Sequence, residues 1–211
     1  MTATETIFWD KIADKYFAQP IADEDAYEEK LRVTQQYLRP DMTVFEFGCG
    51  TGGTALRHAP HVSEILATDI SPRMIEIARQ QATEKRMGHV TFEVANIETM
   101  PITENSYDVV MGMSILHLVH DRNAVIERVR SLLKPNGLFV SSTACLGDAM
   151  GWFKLVGPIG HALGLIPKVS VFKEKDLLTS LEAGGFDIDY VWRPTKSASV
   201  FLVARNKKED T

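Results

Sequence analysis

The residues best suited to chemistry crowd into one short stretch and its echo further along the chain. Gly48, Gly50 and Gly52 follow an apolar run, residues 44–47, that embeds a single acid, Glu46. A turn this poor in side chains lets backbone N–H groups close on a ligand. A helix beginning just beyond it favours an anionic group at its N-terminus. Gly48, Gly50 and Gly53 also satisfy the G-x-G-x-x-G spacing of a dinucleotide-binding turn. Asp69 then stands at the distance of a ribose-binding acid. Spacing alone therefore admits two kinds of cofactor. Glu46 separates them. A carboxylate aimed into the loop repels a pyrophosphate, yet suits S-adenosylmethionine, which has no phosphate and carries a sulfonium and an ammonium.

Other reactive side chains are few. Cys49, inside the glycine turn, is either a nucleophile or a small filler where bulk is excluded, and the filler is the simpler reading. With Cys145 it makes two cysteines, neither a disulfide framework nor a metal cluster. His117, His120 and Asp121 lie close together in sequence, but their spacing is weak evidence for a metal, and none is expected. Asp69, before Ser71-Pro72, could also serve as a helix-capping acid, and Asn96 as a turn former.

To bring these residues together, the chain needs strands that end where they do. Apolar runs at 44–48, 65–68, 90–95, 107–111 and 138–142 predict five strands, and amphipathic stretches between several of them predict helices. Ser71-Pro72 supplies a cap and a pre-set first turn, with Met74, Ile75, Ala78 and Ala82 on one face. Val125, Ile126, Val129, Leu132 and Leu133 mark another helix, and the turn Lys134-Pro135-Asn136-Gly137 leads into strand five. A last helix around Leu177, Leu178 and Leu181 ends at Gly184-Gly185. Two closing strands, 186–192 and 199–204, have no helix between them, so an antiparallel hairpin is expected. At the start, Phe8, Ile12 and Tyr16, then Ala26, Leu31, Thr34 and Leu38, mark two helices. The fold class is α/β: a Rossmann-like, seven-stranded, mostly parallel sheet with an antiparallel C-terminal hairpin and helices on both faces. Ligands in such sheets bind beyond the carboxyl ends of the strands, where the order reverses.

Bulk properties are consistent with one cytoplasmic domain over residues 1–211. A formal charge of −5 argues against a protein that grips nucleic acid by its phosphates. No apolar run reaches the length of a bilayer span, and the first residues lack a signal pattern.

Several segments, taken in order, resemble those of class I S-adenosylmethionine-dependent methyltransferases, of the small type that includes quinone-biosynthesis enzymes. EFGCGTG (46–52) is similar to the family's first motif, and TDISPRMIEIAR (68–79) to its second strand and following helix. SYDVVMGMSILHLVHD (106–121) resembles the strand-four motif, and RSLLKPNGLFVSS (130–142) the turn into strand five. FWDKIADKY (8–16) is similar to the N-terminal helix on the substrate side. Two departures stand out: Asn96 where an acid is usual after strand three, and His117 followed by Leu118 where many members carry two histidines.

The resemblance implies S-adenosylmethionine as cofactor. Its binders would be Glu46, Gly48, Gly50, Gly52, Asp69, Ile70, Asn96, Ile97 and Met113. Asp69 would accept from the ribose hydroxyls, Ile70 and Ile97 would flank adenine, and Asn96 would read the base edge. His117, with Tyr16 second, would be the candidate general base; alternatively His117 only packs at the rim. The acceptor would be a small, partly hydrophobic molecule, with its oxygen, nitrogen or carbon methylated. Residues 144–172 are apolar and broken by glycines, with Trp152 and Phe153 among them, and read as a lid or as core or dimer contact. No nucleic-acid partner and no stable membrane insertion are expected, and a homodimer is compatible. Two other functions stay open: a nucleotide-dependent oxidoreductase, disfavoured by Glu46, and a non-catalytic cofactor-binding partner or sensor.

Overall fold

The computed structural model describes residues 2–149, 166–195 and 198–207. Two helices come first, α1 (Ala3–Ala18) and α2 (Glu24–Tyr37), capped by Thr2 and Asp23. The sheet begins with β1 (Thr43–Phe47), followed by α3 (Gly53–His58) and β2 (Glu64–Asp69). Then come α4 (Pro72–Glu84), β3 (Val90–Val94), β4 (Tyr107–Met113) and α5 (Arg122–Leu132). β5 (Leu133–Ala144) leads into the short α6 (Leu146–Ala149), and α7 (Glu174–Ala183), β6 (Phe186–Trp192) and β7 (Ser199–Asn206) close the chain.

The order across the sheet is β3-β2-β1-β4-β5-β7-β6. β3, β2, β1, β4 and β5 pair in parallel, while β7 is antiparallel to both β5 and β6. The seven strands and the closing hairpin agree with the sequence expectation. Because both faces are covered, the central strands carry apolar residues at successive positions rather than alternating ones. In β1, Val44, Phe45 and Phe47 are all buried, and so is the one charged residue, Glu46. One face packs under α5 and α7 through Phe45, Phe47, Phe139, Val129 and Leu181. The other packs under α2, α3 and α4 through Val33, Leu56, Ile75 and Val140.

Two local expectations needed revision. Lys134 to Gly137 do not precede the fifth strand but loop out within it: Tyr107 pairs with Leu133, and Val109 already with Leu138. The left-handed Asn136 (φ 58°) turns that loop. In α1 the residues packed on the core are Glu5, Trp9 and Ala13 rather than Phe8 and Ile12, and of the expected stripe only Tyr16 reaches the strand-end cavity. Trp9 and Ala13 pack on Met74 and Ile77 of α4, so the helix is rotated toward that neighbour.

Candidate active site

β1 lies between β2 and β4, and the winding direction of the sheet changes between them. The loops leaving β1 and β4 therefore diverge and leave a crevice at their carboxyl ends. A cavity of about 290 Å³ occupies it. Its walls come from the β1 loop (Gly48, Gly50), the end of β2 (Asp69, Ile70), the β3 exit (Ala95, Ile97) and the β4 exit (Met113 to Ile115, His117, Leu118). A larger cavity, about 480 Å³, opens beside Arg79, Arg86 and Phe92. It lies away from the carboxyl ends of the strands, and no glycine-loop residue lines it.

The glycine loop is built by conformation as much as by space. Gly48 (φ +65°) and Gly52 (φ +82°) both lie in the left-handed region. A Cβ on Gly48 would come 2.7 Å from Ile115 Cγ1, and one on Gly52 would come 2.7 Å from Phe92 Cζ. Gly52 caps α3 without any side-chain bond, which leaves the helix N–H groups available to a ligand. Gly53, the third glycine of the dinucleotide spacing, is an ordinary first residue of α3. The demanding set is thus Gly48, Gly50 and Gly52.

Asp69 ties this loop to the next helix. Gly50 N donates to Asp69 Oδ2 at 2.9 Å, and Ser71 N donates to Oδ1 at 2.9 Å. Burial pushes its carboxyl above the ordinary value, opposed by hydrogen bonds from the Ser71, Gly50 and Ile70 backbone. Both readings of Asp69 are thus compatible with its place: it braces the α4 start, and it lines the cavity.

Glu46 sits beneath the loop, 1% exposed, and its Oε2 meets no hydrogen-bond donor. Burial first, and the Asp69 charge second, push its carboxyl up to about 8. A buried carboxyl with one oxygen lacking a donor is a costly feature unless something cationic lies near it, though Glu46 itself does not line the cavity. That observation fits a sulfonium- and ammonium-bearing cofactor and fits a pyrophosphate poorly. Cys49 shares the environment: burial, then Glu46 and Asp69, push its thiol well above the ordinary range, which suits a space-filler and not a nucleophile.

The remaining predicted site residues fall at or beside the cavity. Tyr16 lies over Gly50, at 3.8 Å from where a Cβ would stand. Half its surface is exposed, but burial at the hydroxyl end, then the Asp69 and Glu46 charges, push the phenol up. Ile70, Ile97 and Met113 line the wall. Asn96 closes a turn, its Oδ1 accepting from Glu98 N at 2.9 Å, and its neighbours Ala95 and Ile97 face the cavity. His117 also lines it. Its Nδ1 is buried without a partner, and burial holds the imidazole down at about 4, so it is neutral at physiological pH. His120 and Asp121 diverge from it: His120 faces Glu5 at 3.4 Å, and Asp121 caps α5 through Asn123 N and Ala124 N. Among the described residues no group of three metal-ligating side chains converges.

Several wall residues had escaped sequence reading. Trp9 and Met74 line the cavity from α1 and α4, and Pro167 and Val169 from beyond β5. Trp9 stands seven residues before Tyr16 on one face of α1, a spacing that could have revealed it. Tyr27 of α2 reaches the same loop, its hydroxyl 3.9 Å from where a Gly53 Cβ would stand. Asp10 anchors α1 over the site by accepting from Ser71 Oγ and from Arg73 N at 3.1 Å, and Arg73 pairs with Asp14 at 2.6 Å. Of the suggested lid, Trp152 and Phe153 lie outside the described residues. Its far flank reaches the site, where Ser170 N donates to His117 O at 2.7 Å.

Comparison with known proteins agrees with this geometry. Residues 38–181 match the family described as "Methyltransferase domain". The chain is 28% identical over 127 residues to the uncharacterized methyltransferase YcgJ of Bacillus subtilis, covering 58% of this chain and 50% of that one. It is 30% identical over 150 residues to the polyketide synthase-nonribosomal peptide synthetase ffsA of Aspergillus flavipes, 66% of this chain but 4% of ffsA. The chain thus spans about half of YcgJ and a small part of such synthases. In three dimensions it superimposes on the crystal structure of YcgJ with a TM-score of 0.72 at 16% identity, over 86% of this chain and all of that one. The CurJ carbon methyltransferase gives 0.65 at 21% identity, over 82% of this chain and 51% of that one. A glycine loop with a buried acid beneath it, at the switch point of this sheet and within the matched residues, leads to one conclusion: the chain belongs to the methyltransferase-domain family, with the Rossmann-like fold and S-adenosylmethionine cofactor of its class.

Proposed function

We propose that this protein transfers a methyl group from S-adenosylmethionine to a small, partly hydrophobic acceptor in the cytoplasm. The observation that carries the reading is Glu46: a buried acid with an unpartnered oxygen under a glycine loop, where a cationic cofactor is matched and a pyrophosphate is not. Gly50 and Gly52, with the α3 N-terminus, would hold the methionyl carboxylate. Asp69 would accept from ribose hydroxyls with the lone pairs its backbone bonds leave. Ile70 and Ile97 would sandwich adenine, with Asn96 at its edge, and Met113 would close the wall. Bound there, the cofactor supplies a methyl group already activated by its sulfonium.

The chain's own contribution is alignment and dryness. Trp9 and Tyr16 of α1, with Pro167 and Val169 from beyond β5, would cover the cavity. His117, held neutral, is able to accept a proton from an acceptor that begins protonated; Tyr16 is the second candidate. Residues 144–172 would act as a lid, a reading supported by the flank that touches His117. Among the described residues no helix is long and apolar enough to cross a membrane. Incubation with S-adenosylmethionine and a panel of small acceptors, scored by S-adenosylhomocysteine release, tests the proposal. Cofactor binding without release for any acceptor would favour the non-catalytic module instead.

A further inference from the structure

α1 contributes Trp9 and Tyr16 to the cavity wall with little apolar burial to hold them there. Of its 16 residues only Glu5 and Ala13 are buried. Its apolar attachment is Trp9 and Ala13 set against Met74 and Ile77 of α4, with Trp9 also touching the main core. Ile7, Tyr16 and Phe17 stay at least half exposed. Apolar burial is non-directional, so two such side chains dock a helix without fixing how it is turned about its axis. Directional bonds must set that turn.

Asp10, the neighbour of Trp9 in the chain, supplies them. Its Oδ1 accepts from Ser71 Oγ and from Arg73 N at 3.1 Å. Both donors belong to the N-terminus of α4, where N–H groups lack partners within the helix and the dipole favours a carboxylate. Ser71 is 0% exposed, and its hydroxyl has a single proton to give. Ser71 Oγ already accepts from Met74 N at 3.1 Å, and its proton is directed at Asp10. Ser71 N meanwhile donates to Asp69 Oδ1 at 2.9 Å. One buried serine thus ties α1 to the acid at the end of β2. Asp10 itself does not line the cavity, whereas Trp9, Tyr16 and Asp69 do. One turn on, Asp14 pairs with Arg73 at 2.6 Å, but both side chains are exposed, and such a pair has little weight.

We propose that Asp10 is a positioning residue: through Ser71 and Arg73 it sets the turn of α1 and so holds Trp9 and Tyr16 over the bound cofactor. The proposal rests on the methyl-transfer reading and adds a residue that acts on the cofactor without lining the cavity. The test measures S-adenosylhomocysteine affinity by calorimetry in wild type, Asp10→Ala, Asp10→Asn and Asp14→Ala. The same is done for the double variant Trp9→Ala/Tyr16→Ala, with and without Asp10→Ala. Asp10→Ala should weaken binding about tenfold, the weight of one charge-assisted hydrogen bond. Asp10→Asn, whose amide oxygen still accepts, should recover most of that, and Asp14→Ala should stay within about twofold of wild type. Once Trp9 and Tyr16 are truncated, Asp10→Ala should have no further effect, because residues that act through one another are not additive. In wild type, S-adenosylhomocysteine should also slow amide hydrogen exchange along α1, since the coupling between docking and binding is reciprocal. Unchanged affinity in Asp10→Ala overturns the proposal, and so does an equal loss with and without Trp9 and Tyr16. Should Asp10→Ala not fold, α1 exchange in wild type decides, and exchange that ignores the bound ligand overturns the proposal. If wild type itself fails to bind S-adenosylhomocysteine, the methyl-transfer reading has failed rather than this role of Asp10.

Discussion

The role proposed for Glu46 would make cofactor binding a proton-linked event, and the size of the linkage can be worked out. In the free protein its carboxyl is pushed up to about 8, so at pH 7 about nine in ten molecules hold it protonated. A cationic occupant favours the ionised form. If binding brings the carboxyl back below about 5, binding at pH 7 releases about 0.9 proton from this site. The same linkage raises affinity roughly 50-fold between pH 6 and pH 8, or about 2.3 kcal/mol, and flattens above pH 8. Titration calorimetry in two buffers of different ionisation heat reads the protons directly. The α-amino group of the cofactor also titrates near this range. The quantity to compare is therefore the difference between wild type and Glu46→Gln, which keeps the shape and removes the titration. Equal proton release and equal pH slopes in the two proteins would refute the reasoning.

Asp69→Ala should weaken cofactor affinity by about 2–4 kcal/mol, through lost charge-assisted hydrogen bonds, while calorimetry of unfolding finds the fold intact. Unchanged affinity would leave Asp69 as a brace alone. Gly52→Ala places a Cβ against Phe92 at a φ of +82°, and should cost about 2–4 kcal/mol of stability in denaturant titration. His58, 1% exposed with Nδ1 unpartnered, is held down at about 4, chiefly by burial. Its folded value lies below its unfolded one, so its contribution is fully present above about pH 6.5 and is lost as pH falls toward 4. Between pH 7 and pH 5 the loss is about 2 kcal/mol, and His58→Met should remove it from the pH dependence of unfolding. Glu46 acts with the opposite sign, favouring the fold below about 4.5 and losing that contribution as pH rises through about 8. For His117, burial implies that methyl transfer shows no midpoint near pH 6.5; one there that disappears in His117→Gln would contradict its neutral state.

The glycine-loop side of the cavity was largely legible because its constraints are local. Gly48, Gly50 and Gly52 are dictated by backbone conformation, and Asp69 by the end of a strand, so each leaves a mark in a few adjacent residues. The parallel core was legible for a similar reason: strands covered on both faces are apolar throughout. The rest of the wall was much less so. Trp9, Met74, Pro167 and Val169 come from elements far apart in sequence, and what unites them is the packing of α1 on α4 and of the segment after β5 on His117. Lys30 illustrates the limit. In the run Glu28-Glu29-Lys30-Leu31-Arg32 it reads as one more solvated charge, and only its hydrogen bond to Ser142 of β5 shows that it turns toward the sheet. The rotation of α1 was hidden because its buried face includes an acid, Glu5, next to Trp9 and Ala13.

Thermal unfolding with and without ligands tests the central claim most directly, since a ligand stabilises the state it binds. S-adenosylmethionine and S-adenosylhomocysteine should each raise the melting temperature in a concentration-dependent way, and NAD and NADP should leave it unchanged. A shift with NAD or NADP and none with S-adenosylmethionine or S-adenosylhomocysteine would contradict the account of Glu46 and the glycine loop.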